Sequence, residues 1–534
     1  MAEKSLFWAD QYARKLVERE EKLDRGIKVF LTEAGVGASG VPHIGSLGDV
    51  LRQYAVTLAL RDLGYKSDVI AFSDDRDGLR KVPLGFPNSL EKDIGRPVTD
   101  IKDPFGCHDS FGSHVKSLLT DAIGRTGIDY IFRSAREVYG SGMLNSQIGT
   151  ILNNADKIKR MVKKTFDQDL PSVYFPVCEA CGKIYTTRVV EHLPKEHKVK
   201  YRCDLEFTGK NLNTGRQIVI KGCGHEGVAS YWNATGKLAW KAEFAARWAA
   251  QGIVFEAVGK DILDSVKMND RVCKEVLGFE PPLHMVYEMF LEKGGAKISK
   301  SIGNVFSPQD WFRYGSPESL SLLMFKRVTG TRELAASDIT SYMAEVDRLA
   351  DVYFGKEKVA NEKELAHLKR LYEHIYFLKP PKAQPLAVPY SVLVSLVKVL
   401  PIKDKGKMLR FILAKSGHIP ERLGAGDEKE LARRIEYAES WAKAMGEEIK
   451  PARVAASAGE KKALGELAAA LSKEMAGEDI QNLIFETAKK HGVKPPRFFK
   501  LIYQLVLGID RGPRAGELIK VLGQKKVAKL LKSV

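Results

Sequence analysis

The stretch that most constrains the fold runs from an apolar segment, Ile27 to Leu31, through a glycine-rich turn, Ala38 to Ser46, into the periodically apolar segment Val50 to Leu63. This pattern predicts a buried strand, a tight turn and a helix. In that layout, backbone N–H groups and the positive end of the helix face an anion. The turn is neither a dinucleotide fingerprint nor a P-loop, but His43 adds an imidazole that can bond a phosphate oxygen. Taken alone, the motif fits a glycine turn with a capping histidine equally well.

A second segment offers cations for the same kind of ligand. Lys297-Ile298-Ser299-Lys300-Ser301 places two lysines and two hydroxyls in one turn after Gly294-Gly295. Taken together, this segment and the turn at residues 38–46 resemble the KMSKS and HIGH signatures of the class I aminoacyl-tRNA synthetases. Ser46 stands in place of the second histidine of HIGH, and Ile298 in place of the methionine of KMSKS.

Length and charge narrow the class of protein. At 534 residues the chain is too long for one compact core, which predicts about three or four domains. The formal net charge of +17 favours a polyanionic partner without separating RNA from DNA. The sequence has no run of about 18 apolar residues, so no membrane span is expected, and residues 1–26 show no secretory signal. Six cysteines are too few for a disulfide scaffold, so the cytoplasm is the expected compartment.

Four of the cysteines have the spacing of a metal site. Cys178 and Cys181 form a Cys-x-x-Cys-Gly knuckle, and Cys203 and Cys223 follow as two separated thiolates. This pattern predicts a closed structural zinc ribbon with four cysteine ligands, with His225 as the alternative if Cys223 does not bind. Zinc at such a site contributes on the order of 10–16 kcal/mol to a small domain. The ion would therefore replace a core that the segment cannot otherwise build.

A second cluster of metal-ligating residue types precedes the ribbon. Asp103, Cys107, His108 and His114 lie close together in the sequence. One thiolate, two imidazoles and a carboxylate oxygen can close a tetrahedral site, which predicts a second zinc ion, also structural. The alternative leaves His108 and His114 as surface histidines near the nucleotide. The expected content is therefore one or two zinc ions per chain.

Acidic and aromatic residues mark candidate walls of a substrate pocket. Ser67 to Phe72 predicts a second strand, and the acidic loop Ser73 to Gly78 follows at the edge where ligands of an open α/β sheet bind. Its aspartates can receive an ammonium group, an arginine or a metal, although a solvated loop paired with arginines fits as well. Trp240, Trp248 and Tyr287 can offer an aromatic face to an alkylammonium ion or pack in the core.

The C-terminal part of the chain has a different pattern. Beyond Arg313 the apolar periodicity is helical and remains so, with a break at Pro380 to Pro389. This predicts an all-helical region after the α/β part. Lys494 to Lys500 interleaves basic and aromatic residues, which fits either an RNA-facing patch or a buried helix face.

The resemblance extends over nearly the whole chain. Residues 75–83, the turn at residues 259–261 and the segment from Tyr287 into the lysine turn are similar to the class I lysyl-tRNA synthetases. Ile262 stands where this family is expected to have a histidine. The resemblance implies an α/β fold: a Rossmann-like (HUP-type) nucleotide-binding catalytic domain with a zinc-bearing insertion, followed by an all-α anticodon-binding region. The implied domains are 1–88 (first catalytic half), 89–235 (zinc-bearing insertion), 236–312 (second catalytic half), 313–388 (helical connective domain) and 389–534 (anticodon-binding domain).

The same resemblance implies a function and a set of site residues. The expected activity is ATP- and Mg²⁺-dependent activation of L-lysine and its transfer to tRNA(Lys). Glutamate or arginine specificity, or a catalytically silent zinc- and RNA-binding relative, are the alternatives. A monomer without DNA or membrane partners is expected. The implied catalytic residues are His43, Lys297 and Lys300. The implied ATP-binding residues are Ser39, Gly40, His43, Gly45, Ser46, Gly259, Asp261, Lys297, Ser299, Lys300 and Ser301. The implied lysine-pocket residues are Gly35, Gly37, Asp75, Trp240, Trp248 and Tyr287.

Overall fold

The structure is a computed structural model that describes residues 7–38, 40–233, 236–288, 290–292, 307–399, 405–415, 417–445, 455–507, 510, 512 and 514–532. Ser39 and the predicted lysine turn, with Lys297, Ser299, Lys300 and Ser301, lie outside the described residues. The chain forms two compact units. The first comprises Met1–Asp310, Leu320–Ala335 and Val359–Pro380, and the second comprises Trp311–Ser319, Ala336–Lys358 and Pro381–Val534.

Strands are confined to the first unit among the residues that the structure describes. They are β1 (Phe30–Val36), β2 (Ser67–Ser73), β3 (Lys81–Val82), β4 (Ile131–Ser134), β5 (Tyr174–Phe175), β6 (Arg188–Leu193), β7 (Lys198–Arg202), β8 (Glu206–Asn211), β9 (Gln217–Lys221), β10 (Glu226–Ser230), β11 (Lys237–Leu238), β12 (Ile253–Gly259), β13 (Leu283–Tyr287), β14 (Phe290–Glu292) and β15 (Arg332–Leu334).

Helices occur in both units. They are α1 (Trp8–Leu23), α2 (Ile44–Asp62), α3 (Phe111–Thr126), α4 (Ala135–Gly140), α5 (Asn145–Asn153), α6 (Ala155–Phe166), α7 (Trp240–Gln251), α8 (Leu263–Glu275), α9 (Pro308–Tyr314), α10 (Pro317–Phe325), α11 (Ile339–Tyr353), α12 (Glu362–Ile375), α13 (Tyr390–Val399), α14 (Lys405–Lys415), α15 (Ala425–Met445), α16 (Ala458–Ala470), α17 (Gly477–Lys490), α18 (Pro495–Leu507), α19 (Ala515–Leu522) and α20 (Gln524–Leu531). Among the described residues, no helix is both long enough and apolar enough to span a membrane.

A five-stranded parallel sheet in the order β13-β12-β1-β2-β4 forms the centre of the first unit. The chain runs outward from β1 through α2 to β2, and then through α3 to β4. It later returns on the other side of β1 as β12 and, after α8, β13. The order therefore reverses between β1 and β12, which is the topological switch point at which open α/β sheets bind ligands. The predicted Rossmann-like α/β fold is confirmed.

The strand β12 shows why this sheet forms the core. All seven of its residues are buried, so neighbouring elements must cover both of its faces. Strands buried in this way read as continuous apolar runs, which fits the composition of β12 apart from one glutamate, Glu256. The helix α2 packs on β1, β2 and β12, and α7 and α8 also contact β12.

An insertion between β4 and β12 carries the predicted metal ligands. Its strands β10, β7 and β6 form an antiparallel sheet, and β8 pairs with β9 in an antiparallel hairpin that β3 extends in parallel. The helices α5 and α6 precede these strands. The zinc-bearing insertion predicted from the sequence therefore folds as small β-sheets joined by tight turns.

The regular elements among the described residues of the second unit are helices, including a short 3-10 turn at Ala336–Asp338, which confirms a helical C-terminal region. The prediction that the chain is helical throughout beyond Arg313 is wrong at β15, which pairs in parallel with β14. A buried ion pair links two of its helices, because Arg434 of α15 binds both carboxylate oxygens of Asp347 on α11 at 2.6 and 2.9 Å. In α18, Phe498 is fully buried together with Ile502, one turn further along the helix, so Phe498 of the Lys494–Lys500 segment packs in the core.

Candidate active site and metal centres

A cleft of about 330 Å³ opens at the carboxyl ends of the central strands. Its walls include Gly35 near the end of β1, Gly37 just after β1, Gly259 at the end of β12 and Tyr287 at the end of β13. The N-terminus of α2 supplies a further wall through residues 43–46. The strand-turn-helix read from the sequence thus lies at the switch point of the sheet.

His43 caps the helix α2 and points an imidazole at the cleft. Its backbone is extended (φ −94°, ψ 170°), and its Nδ1 accepts a hydrogen bond from the Ser46 N–H at 3.2 Å. With Nδ1 acting as acceptor, a neutral imidazole carries its proton on Nε2. That nitrogen is then a donor beside the positive end of the helix, where an anion is favoured.

The position of the His43 ring requires a glycine at residue 45. A Cβ atom at residue 45 would lie 2.8 Å from both Cε1 and Nδ1 of His43, which is closer than carbon atoms approach without displacement. Any side chain at this position would therefore push the imidazole away from the Ser46 N–H.

The cleft brings together several of the predicted ATP-binding residues. His43, Gly45, Ser46, Gly259 and Asp261 all line it. Gly40, which is also described, is not among the lining residues. The carboxylate of Asp261 packs over Gly259, because a Cβ there would lie 2.6 Å from Asp261 Oδ1.

The predicted amino-acid pocket is partly assembled. Gly35, Gly37, Trp240 and Tyr287 line the cleft, and Asp75 and Trp248 do not. These four residues therefore line the same cleft as five of the predicted ATP-binding residues.

The two remaining pocket predictions need correction, because both side chains are buried away from the cleft. Asp75 accepts hydrogen bonds from Ser134 Oγ at 2.7 Å and from the Arg136 N–H at 3.0 Å, so it ties β2 to the start of α4. Trp248 is fully buried, and its Nε1 donates to Glu256 Oε2 at 2.5 Å.

A buried cluster of charges beneath the cleft was missed by the sequence analysis. Arg247 lies with its guanidinium 2.8 Å from Asp74, 3.1 Å from Glu33 and 4.0 Å from Glu256, and all four side chains are buried. We call these four residues the Arg247 cluster. The available signal was a carboxylate inside each of two apolar strands, Glu33 in β1 and Glu256 in β12.

Burial dominates the protonation behaviour of this cluster. Loss of water raises the pKa of Asp74 to about 7, although Arg247 and Lys237 oppose the shift. Loss of water and the neighbouring Glu33 raise the pKa of Glu256 to about 8, again against Arg247. Burial lowers the pKa of Arg247, but the surrounding carboxylates outweigh it and keep the guanidinium charged.

Tyr287 is fixed in the cleft wall by two polar partners. Its hydroxyl donates to Asp49 of α2, and the Arg52 guanidinium lies 4.1 Å from its ring centroid. Arg52 is fully buried, so its charge lies in the low-dielectric wall of the cleft and strengthens the cation–π contact. The ring is therefore held by two residues that lie one turn apart on the same face of α2.

Asp77 connects the cleft to the insertion. Its Oδ1 accepts a hydrogen bond from the Tyr185 hydroxyl at 3.1 Å and lies 2.7 Å from Lys237 Nζ. Gly78 permits this contact, because a Cβ there would lie 2.8 Å from the Tyr185 ring. The chain segment that follows the cysteine knuckle thus fixes one wall of the cleft.

The four predicted zinc ligands meet at one point in the insertion. Cys178 Sγ lies 3.7 Å from Cys223 Sγ, and Cys181 Sγ lies 3.8 Å from Cys203 Sγ. All four sulfur atoms lie within 4.8 Å of one another. A tetrahedron with metal–sulfur distances of about 2.3 Å has edges of about 3.8 Å, so the cluster fits a four-thiolate metal site. His225 instead pairs with Glu179 at 2.8 Å.

The second cluster is also assembled. Cys107 Sγ lies 3.2 Å from Asp103 Oδ2, 3.1 Å from His108 Nδ1 and 3.2 Å from His114 Nδ1. These four ligand atoms also lie within 4.8 Å of one another. Asp103 is buried, and the cysteine and His108 are exposed. The geometry can hold a metal ion at the edge of the first unit.

Comparison with known proteins decides the family. The profile described as "tRNA synthetases class I (K)" matches residues 6–376. The chain belongs to this family. A second profile, "Anticodon binding domain", matches residues 429–534 of this class I synthetase. The resemblance read from the two signatures is thereby confirmed.

Curated relatives match the synthetase along its whole length. A "Lysine--tRNA ligase" of Cenarchaeum symbiosum is 44% identical over 531 residues and covers 98% of each chain. One of Natronomonas pharaonis is 32% identical, covering 99% of this chain and 98% of its own. One of Rickettsia bellii is 30% identical with the same coverage.

Proposed function

We propose that this class I synthetase is a lysine–tRNA ligase, which activates L-lysine with ATP and transfers it to the 3′ end of tRNA(Lys). The full-length relatives named "Lysine--tRNA ligase" support this activity. The observation that carries it is the cleft at the switch point, where the His43 turn faces aromatic residues and buried carboxylates. The turn suits a nucleotide phosphate, and the opposite wall suits an alkylammonium group.

The chemistry requires positioning more than a protein nucleophile. The lysine carboxylate attacks the α-phosphorus of ATP and pyrophosphate leaves, which gives lysyl-adenylate. A terminal ribose hydroxyl of the tRNA then attacks the carbonyl carbon of the adenylate, the ester bond to the ribose forms, and AMP leaves. His43 Nε2–H donates to a phosphate oxygen as charge develops there, and Gly45 leaves room for the imidazole ring in that position. Lys297 and Lys300 neutralise the β- and γ-phosphates. Each such stabiliser is worth about 10²–10³ in rate.

Metal ions have two different roles in this proposal. Mg²⁺ arrives with ATP and screens its phosphates. Zinc would be held by Cys178, Cys181, Cys203 and Cys223, and four thiolate ligands would leave no open position for a reactive water. A second structural zinc would be held by Asp103, Cys107, His108 and His114. The S···S distances near 3.8 Å support the four-cysteine site.

The remaining parts of the chain are assigned to tRNA. The part of the predicted insertion (89–235) that follows β4 would contact the acceptor end of the tRNA, because β4 itself belongs to the central sheet. The segment 313–388 would connect the catalytic and anticodon-binding domains, and 389–534 would read the anticodon. The second profile, at residues 429–534, supports the last assignment. The net charge of +17 favours the RNA backbone. We place the protein in the cytoplasm as a monomer that uses L-lysine, ATP and tRNA(Lys).

The experiment is direct aminoacylation. Purified protein, ATP–Mg²⁺, labelled lysine and unfractionated tRNA should give acid-insoluble lysyl-tRNA. The His43→Ala variant, measured in parallel, should lose about 10²–10³ in rate at unchanged tRNA binding. Wild-type protein that charges tRNA with glutamate or arginine instead of lysine would reject the proposal.

A further inference from the structure

The Arg247 cluster has more negative charge than its single arginine can neutralise. Glu33, Asp74 and Glu256 surround one guanidinium, which leaves a formal charge of −2 when all three carboxylates are ionised. The Arg247 side chain is fully buried and is held between the rings of Phe72 and Phe244, at 4.1 and 4.9 Å. Excess charge in a buried site favours a cationic ligand, because the alternative is protonation of a carboxylate.

The cluster is accessible from the cleft. Asp74, Arg247 and Glu256 line it directly. Gly35 forms the opening, because a Cβ atom there would lie 3.3 Å from Arg247 Nη2 and 3.7 Å from Glu256 Oε1. A side chain at residue 35 would therefore cover these groups, whereas glycine leaves them open to a ligand.

The arrangement leaves Glu256 short of partners for its charge. Its Oε1 is 4.0 Å from Arg247, which is beyond hydrogen-bond distance, and its Oε2 accepts one bond from Trp248 Nε1. The closer contacts of Arg247 go to Asp74 and Glu33. Arg247 thus holds the carboxylates in place without neutralising all of their negative charge.

We propose that Glu256 and Asp74 are specificity-determining residues whose carboxylates, held by Arg247, admit an amino acid with a terminal ammonium group and exclude neutral and acidic side chains. This inference rests on the proposed function, and it assigns the selectivity for lysine to carboxylates of the Arg247 cluster. In this arrangement Trp248 is a positioning residue, since it orients the Glu256 carboxylate without lining the cleft.

The charged groups around the cluster come from every element that packs on it. Glu33 lies on β1, Arg247 and Glu243 lie on α7, and Asp77 and Lys237 lie near Asp74. On β13, the Nδ1 atom of His284 lies 3.1 Å from the backbone carbonyl oxygen of Glu256, and its Nε2 atom lies 2.8 Å from Asp270 Oδ1.

The pKa values give the sign of a pH effect. Asp74 and Glu256 have pKa values raised to about 7 and about 8, so the ligand-free cluster gains negative charge as the pH rises from 6 to 9. The ε-ammonium of lysine stays charged over this range. Lysine should therefore bind more tightly at pH 9 than at pH 6, and norleucine, a neutral analogue that lacks the ammonium group, should not.

The test uses Glu256→Gln and Asp74→Asn in the full-length protein. At pH 9, above the pKa values of both carboxylates, each variant removes one negative charge and keeps the side-chain volume. One carboxylate charge several ångströms from the lysine ammonium, in a partly shielded cleft, changes the affinity for lysine roughly 10- to 100-fold. The KM for lysine should therefore rise by that factor while the KM for ATP stays constant. The preference for lysine over norleucine in pyrophosphate exchange should fall by a similar factor.

Glu20→Gln is the matched control, because Glu20 is a buried carboxylate paired with Arg19 and Arg25 outside the cleft. It should change thermal stability and leave both KM values in place. Variants of the cluster that fold with a KM for lysine within twofold of wild type would overturn the inference.

Two further outcomes keep the inference separate from the proposed function. If both cluster variants fail to fold, the binding of lysine to the wild-type protein is measured by calorimetry instead. An affinity that does not rise from pH 6 to pH 9 would then overturn the inference. If the wild-type protein does not activate lysine at all, the proposed function is wrong, whatever the variants show.

Discussion

The substitution Gly45→Ala tests whether the His43 imidazole acts from the position seen in the structure. The added Cβ would lie 2.8 Å from Cε1 and Nδ1 of His43, so the ring must turn away and lose its bond to the Ser46 N–H. That lost bond costs about 0.5–1.5 kcal/mol. Alanine in place of glycine favours a helix by about 0.5–1 kcal/mol. The two terms nearly cancel, so the free energy of unfolding should change by less than about 1 kcal/mol.

Activity should respond very differently. Removal of one donor from a developing phosphate charge costs about 10²–10³ in rate, or about 2.7–4 kcal/mol. Gly45→Ala should therefore reduce lysine-dependent pyrophosphate exchange nearly as far as His43→Ala. The assay is initial exchange rate at saturating lysine and ATP, with thermal unfolding measured on the same samples.

Gly465→Ala provides the matched control. Gly465 lies in the middle of α16, and a Cβ there meets no atom within 4 Å among the described residues. This change should raise stability by up to about 1 kcal/mol and leave the exchange rate unchanged.

The double variant Gly45→Ala/His43→Ala identifies the route of the effect. If Gly45 acts through the ring, the double variant should be no slower than the slower single variant. Multiplied losses would show that residue 45 acts on the nucleotide by itself, and full activity of Gly45→Ala would refute the role given to the His43 ring.

Three other predictions concern the metal, the lysine turn and the pocket. Cys178→Ser should remove one zinc by elemental analysis and lower the melting temperature with ATP binding retained; unchanged zinc content would make these cysteines ordinary core residues. Lys300→Ala should slow adenylate formation far more than it weakens lysine binding, because its charge acts on the departing pyrophosphate; wild-type single-turnover rates would contradict this. Ornithine should be a poor but measurable substrate, since one methylene is worth about 1–3 kcal/mol, and activation equal to that of lysine would show a pocket without length selection.

The parts of the site that could be predicted depend on short-range sequence patterns. The strand, turn and helix around His43 are consecutive, and their apolar periods differ visibly. The cysteine knuckle is equally local, since Gly182 has a positive φ of 70° that lets the turn close behind Cys181. In both cases the spacing alone determines which side chains face inward.

The error at Trp248 has a simple helical cause. Trp240, Phe244 and Arg247 are spaced by four and three residues on α7 and share the face that lines the cleft. Trp248 follows Phe244 by four residues and lies at the border of that face, about 80° from Trp240, and its buried ring bonds Glu256 instead of lining the cleft. Composition alone did not distinguish the two tryptophans.

The Arg247 cluster could not be read from the sequence because its contacts are long-range. Arg247 and Asp74 are 173 residues apart in the chain, and they meet only after the sheet order is set. The same holds for the loop at residues 74–77, where Asp74 and Asp77 line the cleft and Asp75 turns into the protein. Neighbouring side chains of one loop point in different directions, and tertiary packing selects between them.

The most direct test of the account is amino-acid-dependent pyrophosphate exchange by the purified protein. Lysine, glutamate and arginine are compared one at a time, each with and without tRNA. The predicted result is exchange of labelled pyrophosphate into ATP with lysine and background rates with the other two. Equal exchange with arginine or glutamate, or none with lysine even when tRNA is present, would contradict the assignment.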